Sequence, residues 1–188
     1  MTRPAPLDTT ALSLEERLDR LEVRAAIEDL VTHYGMVIDN RDMEGVAELF
    51  TEDGRFGHQD QPGVVGRDAI KVFYRERLSG QEYSYHFSHN QLVEYSGGDT
   101  ATGVVNAHAE MGFQGEVLVA AMRYHDDYRR VDGAWHFARR RLSFFYLMPA
   151  ADLWAGNLGE LRKQWPAPAI AADIPQSLDT YREFLAAG

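Results

Sequence analysis

Residues Leu14–Phe50 read LEERLDRLEVRAAIEDLVTHYGMVIDNRDMEGVAELF. Leu14, Leu18, Leu21 and Ala25 recur at helical spacing, and Ile27, Leu30, Val31, Tyr34 and Ile38 continue the rhythm. Arg17, Asp19, Arg20, Glu22, Arg24 and Glu28 supply a polar face. Ser13 with Glu16 three residues on fits a capping box, so the spacing predicts a helix from about Leu14 to about Ile38. Asn40-Arg41-Asp42 interrupts it, and Asp42 is placed to cap a second, short helix over Met43–Phe50. Asp39 stands at the break, an acid at the end of an apolar face, where the helix dipole disfavours a negative charge.

Downstream, Glu52-Asp53-Gly54 reads as a turn and Gly57 to Gly66 as a Gly/Pro/Asp-rich loop. Ile70, Phe73, Tyr74 and Arg77 set the rhythm of a third helix over about 68–78. From Tyr83 the period changes to two. Four strands are expected, over about 83–95, 100–113, 116–131 and 134–147, with Asp132-Gly133 a hairpin signal between the last two. Helices first and strands afterwards mean an α+β fold: a curved antiparallel sheet wrapped around N-terminal helices. After Pro149 the pattern turns helical again, with Leu153, Trp154, Leu158, Leu161 and Trp165 on one short apolar face and a last helix over 177–185. The division expected is a lead-in over 1–13, one domain over 14–149 and a helical extension over 150–188.

The chain has 188 residues, no cysteine and a formal charge of −10. Absent cysteine excludes disulfides, thiolate metal sites and cysteine nucleophiles. The negative charge argues against nucleic-acid binding, which needs clustered Lys and Arg. The one basic run, Arg139-Arg140-Arg141, alternates faces if it lies on a strand. No stretch has the apolar length of a membrane span, and the first ten residues lack an apolar signal core, so a cytoplasmic location is the default. There is no P-loop, GxGxxG or GxSxG, and no cofactor is implied. His58-Gln59-Asp60 has the spacing of an iron-binding His-x-Asp, but it lies in a loop and no third ligand can be placed, so no metal is expected.

The Tyr34…Asp39 helix end, the DMEGVAELFTEDGRF stretch, the Gly66-Arg67-Asp68-Ala69-Ile70 helix start, the His86-bearing strand and the strand opening Asp132-Gly133-Ala134-Trp135 together resemble the SnoaL-like family of the nuclear transport factor 2-like superfamily. The likeness runs from about Leu14 to Pro149. It implies a cone-shaped α+β barrel around an apolar pocket, small-molecule chemistry without a cofactor, and self-association as a dimer or trimer. The family's enzymes include polyketide cyclases, scytalone dehydratase, a dehydrochlorinase, bile-acid dehydratases and ketosteroid isomerase. Several use an Asp–His pair, and Asp39 and His86 fall at those two places.

The residues themselves are compatible with that chemistry. Histidine is the side chain whose ordinary titration spans neutrality, and a carboxylate on one ring nitrogen orients the other toward a substrate. The plain structural alternative is a helix-break acid and a core histidine. Alternation leaves His86 and His89 as rivals on opposite faces of one strand, His86 with Ser88, Asn90 and Leu92; the resemblance selects His86. Tyr34 points to the same core and its hydroxyl can polarise a carbonyl or leaving group. Asn106, His108 and Glu110 alternate on the second strand, either lining the pocket or forming a solvated or subunit-contacting face. Arg139 and Arg141 share a face with Trp135 and Phe137, and an inward Arg141 must be paired or hold a substrate oxygen. The expected catalytic set is therefore His86, Asp39 and Tyr34, with His108, Asn106, Asn90 and Arg141 binding substrate.

The expected function is a cofactor-independent, dehydratase-type lyase acting on an apolar small molecule, polycyclic ones included. Two alternatives stand beside it: a cyclase or isomerase working through an enolate, and a non-catalytic binding domain of the same fold.

Overall fold

The computed structural model describes residues 11–59, 61–95 and 97–187. Residues 1–10 of the expected lead-in and Asp60 of the His-x-Asp run lie outside them.

Helix α1 (Leu14–Asp39) starts on the capping box: Glu16 N–H donates to Ser13 Oγ and Ser13 N–H to the Glu16 carboxylate. Its buried face is Val23, Ile27, Leu30, Val31, Tyr34, Val37 and Ile38. The first part of the expected stripe does not join that face, since Leu14, Leu18 and Leu21 are exposed. Helix α2 (Met43–Glu48) is capped by Asp42, whose side chain accepts from Gly45 N–H. It ends two residues before Phe50, because Phe50 opens a strand.

That strand, β1 (Phe50–His58), and its short partner β2 (Val64–Val65) occupy what the composition marks as turn and loop. Phe50 and Phe56 are buried in it, but the polar run Thr51-Glu52-Asp53-Gly54 between them hides the alternation. Helix α3 (Arg67–Leu78) follows, and then the four long strands: β3 (Tyr83–Glu94), β4 (Thr100–Phe113), β5 (Glu116–Val131) and β6 (Ala134–Pro149). The β5–β6 hairpin turns on Asp132 and Gly133, both at positive φ (50° and 83°), as a tight type I′ connection requires.

The sheet order is β2-β1-β6-β5-β4-β3. It is not wholly antiparallel, because β1 runs parallel to β6. Nor is it a closed barrel: β2 and β3 are its two edges. Helices α1–α3 pack in its concave side around one core that includes Tyr34, Val46, Ile70, Tyr74, Val105, Ala109, Met122 and Phe137.

Three bulges govern what faces that core. Ser88↔Ala107 is followed by Gln91↔Val105, Tyr128↔Phe137 by Asp127↔Arg139, and Ala121↔Tyr146 by Met122↔Phe144. Each inserts one unpaired residue and reverses the inside–outside sense of everything beyond it.

The tail is less helical than expected. Helix α4 covers only Ala150–Trp154, Trp154 is 81% exposed, and Leu158 and Leu161 are exposed too. Helix α5 is Asp179–Ala186. Between them the chain returns to the sheet. Pairing of β1 with β6 stops at Leu142, which leaves later β6 backbone groups open. The tail takes them: Leu147 N–H donates to Arg162 O, Gln164 N–H to Leu147 O, and Phe144 N–H to the Asp173 carboxylate. Ala172 and Ile174 are buried there, and Lys163 pairs with Asp173 at 2.8 Å.

Candidate active site

Asp39, the last residue of α1, meets His86 in the first half of β3. His86 Nδ1 lies 2.7 Å from Asp39 Oδ1, and His86 backbone N–H donates to Oδ2 at 2.8 Å. Ser84 Oγ donates to Oδ1 at 3.2 Å. Arg41, at φ 60° just past the helix end, donates to Ser84 Oγ at 2.6 Å and to Ile38 O at 3.2 Å. The carboxylate is thus held at both oxygens, and its position is fixed by backbone as well as side chain. A carboxylate only accepts hydrogen bonds, so the ring nitrogen facing Asp39 is Nδ1–H and Nε2 is left as the basic nitrogen. Both side chains are largely but not wholly buried, at 17% and 22% exposure.

His86 lines a cavity of about 150 Å³ enclosed by α1, α3, the concave sheet and the tail. Ala109 and Ala120, small residues on the concave side of β4 and β5, leave the room; Phe56, Phe73, Met111, Met122 and Phe144 make the wall apolar. Tyr34, Tyr74 and Tyr124 also line it, and the hydroxyls of Tyr34 and Tyr74 share a short hydrogen bond. Burial raises the pKa of all three phenols, so each stays an O–H group at neutral pH.

Under these rings lies a residue that the strand pattern hid. Arg140 is fully buried and pairs with Asp126, also buried, through two bonds of 3.0 and 2.9 Å. Its guanidinium carbon sits 4.1 Å from the ring centroids of Tyr34, Tyr124 and Phe137. Tyr128 donates to Asp126 at 2.9 Å. Burial works against the Arg140 charge, but Asp126 outweighs it and holds the pKa above that of a free arginine. Arg140 in turn opposes the rise in the Tyr34 pKa. The bulge at Ala138 turns Arg140 inward; without it, Arg139 and Arg141 would point there.

The four expected substrate-binding residues lie outside this cavity. Val105, Ala107, Ala109 and Met111 face the core, which puts Asn106, His108 and Glu110 on the other side of β4. There His108 Nδ1 lies 2.6 Å from His89 Nε2, and Phe87 stacks on the His108 ring. Asn90 does not share His86's face, because the β3 bulge intervenes. It accepts from Asn106, whose carbonyl accepts from Arg123. Arg141 faces outward opposite His125. Asp39 meets His86, and Tyr34 lines the same cavity as His86; His108, Asn106, Asn90 and Arg141 do not line it. No group of three or more metal-ligating side chains occurs among the described residues.

The model of the SnoaL-like domain matches residues 19–141, most of the chain. The chain belongs to the SnoaL-like family. The uncharacterized protein Rv2910c of Mycobacterium tuberculosis is 32% identical over 140 residues, 72% of this chain and 92% of that protein. A SnoaL-like relative with a named activity, the gamma-hexachlorocyclohexane dehydrochlorinase of Sphingobium indicum, is 26% identical over 141 residues, 72% of this chain and 89% of the enzyme. Among solved structures, LinA superposes with a TM-score of 0.67 at 24% identity, over 72% of this chain and 94% of that one. A candidate scytalone dehydratase from Novosphingobium aromaticivorans also reaches 0.67, at 23% identity, over 84% of this chain and 96% of its own. These two structures share the fold of this chain.

Proposed function

We propose that this protein is a cofactor-independent lyase that eliminates water or another leaving group from an apolar small molecule. The observation that carries the reading is the Asp39–His86 contact on the wall of an apolar cavity. A dehydrochlorinase among the relatives supports elimination over other uses of the same groups.

In this reading Nε2 of His86 removes a proton from carbon. The C–H electron pair becomes the new double bond, and the bond to the leaving group breaks with its pair going to that group. The departing or charge-gaining oxygen takes a hydrogen bond from Tyr34, whose acidity the Arg140 guanidinium supports. Asp39 steadies the imidazolium until it returns its proton to solvent or to the leaving group. Acid–base catalysis of this kind contributes about 10²–10⁴-fold.

The test is product formation by wild type, His86→Ala and Asp39→Asn, beginning with gamma-hexachlorocyclohexane and chloride release and extending to hydroxylated apolar carbonyl compounds. Each substitution is expected to lower turnover by at least about tenfold with the thermal unfolding transition retained. Activity that survives both changes removes the dyad from the mechanism.

A further inference from the structure

The cavity that holds His86 has one charged wall. Among the described residues lining it there is no carboxylate, and Arg77 is its one Lys or Arg. Arg77 comes from the last turn of α3 and forms no ion pair with any described residue. Its guanidinium lies instead over the ring of Trp165, with Cζ 3.9 Å from the centroid. Trp165 is wedged edge-on against Phe113, at 5.2 Å between centroids. Trp165 belongs to the tail, outside the region matched by the family model, and the tail is tied to β6 on both sides of it, through Arg162 and Gln164 to Leu147 and through Asp173 to Phe144.

A guanidinium stays protonated in a protein, and in an apolar wall it is costly unless a counter-charge meets it. Stacking on tryptophan holds its plane but leaves its N–H fork unspent. That planar fork matches a carboxylate, two parallel bonds at once. The chain as a whole carries a charge of −10, so an uncompensated arginine in its apolar cavity is not part of a general basic surface.

We infer that the molecule taken by this pocket carries a carboxylate, bound by Arg77 braced on Trp165, with its apolar body along Phe73, Met111 and Phe144. This rests on the pocket being the substrate site and narrows the class of substrate: an apolar aromatic or alicyclic body that bears a carboxylate. Trp165 is a positioning residue here, acting through Arg77.

The experiment is calorimetric titration of the full chain with 2-naphthoate and with its neutral isostere 2-naphthamide. Wild type is expected to bind the carboxylate about tenfold or more tightly than the amide, the equivalent of one charge-assisted contact. Arg77→Met should bring the two affinities together, with the larger loss on the carboxylate. Arg77→Lys should keep part of the preference, and Trp165→Leu should reduce it with Arg77 present. Equal affinities in wild type, no carboxylate binding at millimolar concentration, or a preference that survives Arg77→Met would each overturn the inference. The wild-type comparison needs no variant to fold. Binding is read without turnover, so a wrong base shows up in product formation and a wrong anion site only here.

Discussion

Gly35 and His86 touch across the helix–strand contact: a methyl group on Gly35 would lie 3.3 Å from both Cβ and the carbonyl oxygen of His86. Gly35 is one helical turn before Asp39, so the same close approach that packs α1 on β3 brings the acid to the imidazole. Gly35→Ala should therefore push β3 outward by a few tenths of an ångström. An alanine favours the helix by roughly 0.5–1 kcal/mol over glycine, so the melting temperature should change little. Turnover should fall by about tenfold, since catalysis is more sensitive to position than stability is. A Gly35→Ala enzyme with wild-type turnover would show that the spacing is not critical.

The contact of Asp39 with Nδ1 predicts which nitrogen of His86 carries the proton. Long-range ¹H–¹⁵N spectra of the neutral ring should show the proton on Nδ1 in wild type. In Asp39→Asn the amide can donate as well as accept, and the Nε2–H form should gain population. An unchanged tautomer would mean that the carboxylate does not orient the ring.

Tyr34→Phe keeps the ring against Arg140 and removes the hydroxyl that bonds Tyr74. The buried Tyr74 hydroxyl then loses its partner, which should cost about 1–3 kcal/mol in urea unfolding. Turnover should fall further than that loss explains, with kcat reduced more than KM raised. A loss confined to stability would make Tyr34 a core residue only.

The Arg140–Asp126 pair is fully buried on both sides. Removing one partner strands a charge, so Arg140→Met should destabilise by about 3–5 kcal/mol. The Arg140→Met/Asp126→Leu double variant should recover most of it, because no lone charge is left behind. Equilibrium denaturation of the three proteins decides this.

Acid should weaken the fold through histidines held below the ordinary value of 6.5. Burial and then the adjacent His89 lower the pKa of His108; burial and then Arg141 lower that of His125. For each, the unfolded chain takes up its proton at a higher pH than the folded one. Stability is thus fully present above about 6.5 and declines as pH falls through that value toward the folded pKa. His108→Gln should flatten the drop in melting temperature across this range. A profile identical to wild type would count against the histidine pair as a source of acid sensitivity.

Much of this architecture is written locally. The Ser13–Glu16 box, the Asp42 cap, the Asp132-Gly133 turn and the four long strands each rest on neighbours in sequence, and each appears where the pattern puts it. Strand β1 was not legible, because its polar middle resembles a turn and its pairing partner, β6, lies about 85 residues away. The tail's apolar residues suggested a helix face, yet this segment follows the open edge of β6, which no local pattern records.

Local pattern suffices to say that helices precede a meander, and that an acid at a broken helix and a histidine on the first long strand are available to each other. Which other side chains join them depends on how the strands pair in three dimensions. Alternation assumes an unbroken strand, and one extra residue reverses it: the bulges turn Arg140 inward where Arg141 was expected, and part Asn90 from His86. Whether such a residue is inserted depends on register between strands, a property of the pair that neither strand carries alone.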